Sequence, residues 1–320
     1  MTRPVDSAMA GERVEKGVIR NLWAETVVSS KTARADVPLY LTLSGADGKD
    51  ISLLAEKGII RRTEVGAIAP GDENKVVAVE NNAMAVLDLQ RKFPGLRIYE
   101  EPIQNLWSQD GPFAWPKGTN RQYCRAVVVN LDLNKPLLAV LKNGQLEFPI
   151  LEGVRKLSQL HAVNPRLNWS LCLTLHGEIV WSKDIGLMIQ HFLSENFARE
   201  KRFADSCRSV FGDELYENID SASVKDLSKL ESQEQQHILM AMVPKKIAQL
   251  VHQQGWKTTT SYNLRYGNVP HEAPMVTWII QFNWDERISS RPDAVYRESL
   301  QTVFSNPGAI KGGKIQQLGT

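Results

Sequence analysis

Residues 38–57 read PLYLTLSGADGKDISLLAEK, and this stretch decides the fold. The apolar run at 39–43 predicts a buried strand. The run breaks at a turn of small residues, 44–48, after which apolar side chains recur with helical spacing. A helix is therefore expected to start near Lys49. A tight hairpin is the alternative, because Asp-Gly is a favoured turn pair, but the segment that follows has a helical period.

A second apolar run, Val76–Val79, predicts the next strand, and it ends on Glu80. Strand, small-residue turn, helix, strand and carboxylate follow one another in this order in Rossmann-like domains that bind an adenosine-containing cofactor. The N–H groups that begin a helix bind anionic groups where no side chain blocks the approach. A carboxylate at the end of the second strand accepts hydrogen bonds from ribose hydroxyls. The alternative for Glu80 is a solvated charge that caps the following helix.

The rest of the chain predicts an α/β protein with a Rossmann-like, mostly parallel sheet of seven strands and helices on both faces. Two of the strands are joined directly by a turn-rich link, so they are expected to form an antiparallel C-terminal hairpin. After the strands at 39–43 and 76–79, the expected strands are 96–99, 124–130, 169–175, 258–265 and 275–284.

The expected organisation is one domain with an extension at each end. Residues 1–36 are predicted to be an N-terminal extension that is partly disordered, because large apolar residues are scarce near its start. Residues 37–290 hold the strand and helix signals and are predicted to form the domain. Residues 291–320 are predicted to be a C-terminal tail, because they end in a segment rich in Gly and Lys.

The composition is that of an ordinary water-soluble protein, with 42% apolar and 23% charged residues. The net charge of +2 gives no overall field that would mark a nucleic-acid or membrane binder. No apolar run approaches the ~20 residues of a membrane helix. We expect a cytoplasmic location, in which the cysteines stay free thiols. We expect no metal site, because neither the cysteines nor the histidines have metal-ligand spacing.

The motifs along the chain resemble those of the class I S-adenosylmethionine-dependent methyltransferases over roughly residues 38–284. The hairpin at 258–284 is the most discriminating shared feature, since this family closes its sheet with an antiparallel hairpin. The family has an acidic residue before its glycines, whereas Thr42 stands there in this chain. The segments that resemble the four family motifs in order are Leu41–Asp50, Val77–Asn82, Tyr99–Leu106 and Val127–Pro136.

The resemblance implies S-adenosyl-L-methionine as the cofactor and assigns residues to its parts. The turn and the start of the helix would hold the methionine end of the cofactor. The end of the second strand would bind the ribose, and the end of the third strand would lie near the adenine. Asn130 would lie beside the cofactor and, together with Asp132, would orient the methyl acceptor. The remaining expected cofactor-binding residues are Ser44, Gly45, Ala46, Asp47, Gly48, Asp50, Glu80, Asn81 and Glu101.

The resemblance implies methyl transfer to a nucleic acid, DNA or RNA, or to another polar acceptor. The segment that contains Asn130 and Asp132 offers amide and carboxylate oxygens but no aromatic residue to stack on a base. Strand-end capping of a loop is an equal alternative for Asp132 and Asn134. Basic pairs such as Lys245-Lys246 are candidates for nucleic-acid contacts, with a solvated surface as the alternative.

Two other functions stay open. The altered first motif would also fit a methyltransferase-like subunit that has lost catalysis and serves binding or assembly. An NAD-dependent oxidoreductase uses the same ribose carboxylate, but it predicts parallel strands in place of the hairpin at 258–284.

Overall fold

The computed structural model is α/β, with a nine-stranded mixed sheet and helices on both of its faces. A separate pair of short strands lies outside this sheet. The structure describes residues 14–30, 37–102, 125–133, 137, 139–140, 146–163, 166–179, 183–221, 230–267 and 273–319.

The strands of the main sheet come from the whole described length of the chain. They are β1 (Tyr40–Thr42), β2 (Val76–Glu80), β3 (Arg97–Glu100), β4 (Val128–Asp132), β7 (Trp169–His176), β8 (Trp256–Tyr266), β9 (Met275–Trp284), β10 (Pro307–Lys311) and β11 (Lys314–Gln317). The separate antiparallel pair consists of β5 (Ala139–Val140) and β6 (Leu146–Glu147).

The strand order in the main sheet is β3-β2-β1-β4-β7-β9-β8-β10-β11. Strands β3, β2, β1, β4 and β7 are parallel to their neighbours within that group. Strand β9 lies between β7 and β8 and is antiparallel to both. The predicted antiparallel hairpin is therefore confirmed, and its two strands are long and apolar enough to be read from the sequence.

The expectation of seven mostly parallel strands is wrong, because β10 and β11 extend the described sheet to nine and make it more mixed. Strand β10 is parallel to β8 and forms an antiparallel hairpin with β11. Their turn uses Gly312 and Gly313, both with positive φ. Residues 291–320, predicted as a tail, thus contain a helix and two strands of the sheet. The signal was weak because β11 has no fully buried side chain.

Nine α-helices are defined in the described ranges, and they lie on both faces of the sheet. The helices α1, α2 and α3 contribute to one apolar cluster, and the helices from α4 to α9 contribute to the other. They are α1 (Val14–Ser29), α2 (Lys49–Glu56), α3 (Ala83–Lys92), α4 (Pro149–His161), α5 (Lys183–Ser194), α6 (Lys201–Phe211), α7 (Asp213–Asp220), α8 (Ser232–Val251) and α9 (Pro292–Leu300). In the described residues, none of these helices has the length and apolar character needed to cross a bilayer.

Helix α1 is packed against the sheet. Its apolar side chains Ile19, Trp23 and Val27 are at most 2% exposed and join the same cluster as Tyr40 of β1 and Ile51 of α2. The first turn of α1 consequently lies close to the strands that carry the predicted site. Residues 1–13, where disorder is predicted, lie outside the described residues.

His161 ties α4 to the sheet on the opposite face. Its Nδ1 lies 2.8 Å from the carbonyl oxygen of Leu157, and its Nε2 lies 3.0 Å from that of Ala126. The ring stacks on Trp169 at a centroid distance of 4.5 Å. Complete burial lowers the pKa of His161 from 6.5 to about 4.

Acid should destabilise the protein through His161. The folded-state pKa lies below the unfolded value of 6.5, so this contribution to stability is complete above pH 6.5 and is lost as the pH falls toward 4. At about pH 5 the loss should be about 2 kcal/mol. Chemical denaturation at a series of pH values measures it, and His161→Gln should flatten the pH dependence. His191→Gln, at an exposed histidine of α5, is the matched control. An unchanged slope in His161→Gln would refute the assignment.

Candidate functional site

The turn between β1 and α2 is built on two glycines with positive φ. Gly45 has φ +57°, and no atom of the described residues lies within 4 Å of the place where its Cβ would be. Gly48 has φ +50° and is the N-cap of α2, where a Cβ would come within 2.5 Å of Phe93 and 2.9 Å of Leu89. The turn therefore packs closely on one side through Gly48 and leaves space on the other side at Gly45.

A cluster of buried polar side chains lies under this turn. The carboxylate of Asp50, in the first turn of α2, accepts hydrogen bonds from the hydroxyl of Tyr40 at 3.1 Å and from that of Thr42. The amide of Asn130, on the neighbouring strand β4, donates to the hydroxyl oxygen of Tyr40 at 2.8 Å. All four side chains are at most 7% exposed. The cluster joins β1, β4 and the start of α2 through side chains.

Burial sets the electrostatics of this cluster. It raises the pKa of Asp50 above its ordinary value of 3.8, and the hydrogen bonds from Thr42, the Ile51 amide and Tyr40 oppose that rise. Burial and then the nearby charge of Asp50 raise the pKa of Tyr40 well above its usual range. Tyr40 therefore keeps its proton and donates a hydrogen bond to the carboxyl group of Asp50.

Two buried oxygens close to the turn have no hydrogen-bond partner among the described residues. They are Oγ of Ser44 and Oδ1 of Asn130. Buried polar atoms are normally satisfied, so these two are acceptors or donors that a further group could use. Asn130 itself is 1% exposed, so its side chain belongs to the buried cluster and not to an open loop.

Glu80 ends β2, the strand next to β1. Its Oε1 accepts hydrogen bonds from the backbone N–H groups of Asn81 at 2.9 Å and Asn82 at 2.8 Å. Asn82, not Glu80, caps α3, since its side chain accepts from the first amides of that helix. Among the described residues, none donates to Oε2 of Glu80. Glu101 is half-buried and donates its N–H to the Glu80 carbonyl at 3.0 Å, and the side chain of Asn81 is exposed.

Asp132, at the end of β4, forms an ion pair with a residue that sequence reasoning missed. Nζ of Lys16 lies 2.6 and 2.7 Å from the two carboxylate oxygens of Asp132. Each side chain is 21% exposed, and Lys16 also lies 6.0 Å from the ring centre of Tyr266. Helix α1 thus places a cation over the ends of β4 and β8. The two partners are 116 residues apart, so no local pattern indicates the pair.

The predicted site residues thus divide into two groups. Asp50 and Asn130 come together through Tyr40 under the turn 44–48, and Glu80 ends the neighbouring parallel strand at the same edge of the sheet. Asp132 lies two residues beyond Asn130 and faces Lys16. Residues 103–106 of the third predicted motif and 134–136 of the fourth lie outside the described residues.

The basic pair Lys245-Lys246 is not the surface pair that a nucleic-acid contact requires. Lys245 is fully buried, lies 3.2 Å from a carboxylate oxygen of Glu195, and donates to the carbonyl of Phe192. Burial lowers the pKa of Lys245 to about 8, although Glu195 raises it. In the part of the chain that the structure describes, no group of three or more His, Cys, Asp or Glu side chains could hold a metal ion.

Comparisons with known proteins do not assign a function to this chain. No family of known proteins, no curated protein and no solved structure matches this chain.

Proposed function

We propose that the chain is a Rossmann-like, S-adenosylmethionine-dependent methyltransferase, which transfers a methyl group to a nucleic acid or another polar acceptor. The observation that carries the proposal is the direction of β9, which lies between β7 and β8 and is antiparallel to both. This hairpin is the feature of the family that the sequence resembles most specifically. An NAD-dependent oxidoreductase predicts a parallel continuation, so the direction of β9 counts against that alternative. A cytoplasmic location stays a prediction.

The residues at the turn fit the methionine end of the cofactor. The open side of Gly45 gives room for a ligand to approach the backbone, and Oγ of Ser44 is a buried hydroxyl in need of a partner. Asp50 brings a carboxylate from α2 against Thr42, the position at which the family carries its acidic residue. Asp50 would support the turn from below, while Ala46 and Asp47, which are exposed, would line its outer side.

The end of β2 fits the adenosine. Oε2 of Glu80 would accept hydrogen bonds from the ribose hydroxyls, while Oε1 keeps Asn81 and Asn82 in place. Glu101, which is attached to the Glu80 carbonyl, would lie beside the adenine.

The acceptor would be oriented beyond Asn130, where Asp132 and Lys16 lie. When bound, S-adenosylmethionine supplies a methyl group that its sulfonium has already activated. The protein therefore has to position the acceptor and exclude water, and correct positioning supplies most of the rate gain in such reactions. The Lys16–Asp132 pair is the charged group best placed to orient a polar acceptor.

Titration calorimetry with S-adenosylmethionine and S-adenosylhomocysteine tests the cofactor assignment directly. We expect saturable binding of both. If neither releases or absorbs heat, and neither raises the melting temperature, the proposal is wrong.

Glu80→Ala should weaken the binding of S-adenosylhomocysteine at least about tenfold, because a charge-assisted hydrogen bond to the ribose contributes about 1.5 kcal/mol or more. Glu100→Ala is the matched control, since Glu100 is exposed and pairs in register with Glu80 at the end of β3. Calorimetry of both variants gives the dissociation constants. Equal affinities for Glu80→Ala and the wild type would remove Glu80 from the site.

The second candidate is a methyltransferase-like binding or assembly subunit without catalysis. Both residues predicted to orient the acceptor already have partners within the protein, which favours this candidate. Asn130 is buried in the cluster, and Asp132 forms an ion pair with Lys16. Incubation with methyl-labelled S-adenosylmethionine and pools of DNA, RNA and protein separates the two. Tight cofactor binding without transfer to any pool supports the subunit, and transfer to any pool excludes it.

A further inference from the structure

A buried pair of basic side chains lies at the carboxyl end of β8, on the face of the sheet opposite the cluster of Asp50. Arg265, the residue before the end of β8, is 4% exposed. His237, in the second turn of α8, is 6% exposed. Nε of Arg265 and Nε2 of His237 have no hydrogen-bond partner among the residues that the structure describes. The two side chains therefore present unsatisfied nitrogens in the same region of the interior.

The charge of Arg265 is not balanced by the described part of the chain. The pKa of Arg265 is lowered by burial. A neighbouring carboxylate would raise the pKa of an arginine instead. His237 responds to the same surroundings: burial, and then the charge of Arg265, lower its pKa to about 4. Buried guanidinium groups in proteins are almost always paired, because an uncompensated buried charge is strongly unfavourable.

The scaffold around the pair is well fixed. The amide Nε2 of Gln236, the residue before His237, donates to the carbonyls of Tyr266 at 3.1 Å and Met275 at 3.0 Å. The amide of Asn263, on the same face of β8 as Arg265, donates to the carbonyls of Met240 and Val303. Helix α8 and strand β8 are therefore attached to each other on both sides of the pair. These hydrogen bonds fix the backbone that carries Arg265 and His237, but they leave Nε of Arg265 and Nε2 of His237 without a partner among the described residues.

We propose that Arg265 and His237 form a binding site for a small oxyanion, the phosphate or carboxylate group of a ligand. A guanidinium presents parallel N–H groups that match two oxygens of such a group, and the imidazole adds a third donor. The anion would supply the negative charge that the surroundings of Arg265 lack. At 4% and 6% exposure, little of either side chain reaches the surface, so the proposed ligand group would be a small terminal group and not a polymer backbone. This inference does not depend on the proposed methyl transfer.

Thermal unfolding in increasing phosphate or acetate, at constant ionic strength kept with sodium chloride, tests the site. The melting temperature of the wild type should rise with one or both anions and then saturate. Arg265→Met should abolish this rise. Without added anion, Arg265→Met should melt at or above the wild-type temperature, because it removes a buried charge that no described residue balances. Arg291→Met, at an exposed arginine, is the control and should respond as the wild type does.

The pattern of responses identifies the ligand group. A response to phosphate alone indicates a phosphoryl ligand, and a response to acetate as well indicates a carboxylate ligand. An equal response in Arg265→Met and wild type would overturn the site. So would a strong loss of stability in Arg265→Met together with no anion response in the wild type, since Arg265 would then serve the fold alone.

A spectroscopic measurement on the wild type does not depend on how the variant folds. Phosphate and acetate titrations followed by the histidine ring resonances should shift the signal that His237→Gln removes. If this signal stays unchanged while another histidine shifts, the anion binds elsewhere and the proposal fails.

Discussion

Gly48→Ala should lower the free energy of unfolding by about 3 kcal/mol, the sum of a left-handed backbone penalty and of overpacking. The φ of +50° is unfavourable for alanine, and the new Cβ would lie 2.5 Å from Phe93 and 2.9 Å from Leu89. Both neighbours are completely buried and cannot move away easily. Denaturant unfolding measures the loss as a lower midpoint with an unchanged slope.

Gly45→Ala is the informative partner of this variant. Its φ of +57° carries a backbone penalty of about 1 kcal/mol, but no atom lies near the new Cβ. If the open side of Gly45 faces the cofactor, this variant should lose affinity for S-adenosylhomocysteine while keeping most of its stability. Similar stability losses for Gly45→Ala and Gly48→Ala, with unchanged affinity in Gly45→Ala, would show that the open side of the turn is not used.

The sequence was sufficient for the strands that are continuous apolar runs. β1, β2, β4 and β7 are almost entirely buried and lie in apolar stretches of the sequence, so period and length were enough to predict them. The helix starting at Lys49 followed from the spacing of its apolar residues. The strands of the C-terminal extension were missed because β10 and β11 are short and mostly lack a buried apolar run, and because their place in the sheet depends on the pairing of β10 with β8 and of β11 with β10.

The site could be predicted only where it is local in sequence. The turn, Asp50 and Glu80 come from two contiguous stretches, so their proximity follows from the strand–turn–helix order. Asn130 meets Tyr40 across 90 residues, and Lys16 meets Asp132 across 116 residues. Such contacts depend on the order of strands in the sheet and on the path of α1, which residue patterns do not contain.

The buried cluster also explains how residues 44–48 can form a fixed turn. The buried hydroxyl of Thr42 needs an acceptor in the interior, and Asp50 supplies one from the next helix. Asp50 also accepts from Tyr40 and from the amide of Ile51, so three donors converge on one carboxylate. The carboxylate therefore determines how α2 leaves β1, and through α2 the conformation of residues 44–48.

Asp50→Ala should consequently lower the free energy of unfolding by about 3 kcal/mol, since the hydroxyls of Tyr40 and Thr42 and the Ile51 amide all lose their acceptor in the interior. Denaturant unfolding at neutral pH measures the loss. Asp47→Ala is the matched control in the same turn; that side chain is 75% exposed, so the change should stay within about 0.5 kcal/mol. Equal losses for the two variants would contradict the central role of Asp50.

Asp50→Asn separates the charge from the hydrogen bonds. Burial raises the folded-state pKa of Asp50, so the wild type gains stability from the protonated carboxyl below 3.8 and loses this contribution as the pH rises through the folded value. Asparagine is neutral at every pH and keeps one acceptor oxygen. The stability of Asp50→Asn relative to the wild type should therefore increase from acid toward neutral pH. A decrease would contradict this expectation. It would mean that the hydrogen bonds from the neighbouring donors favour the charged carboxylate more strongly than burial disfavours it.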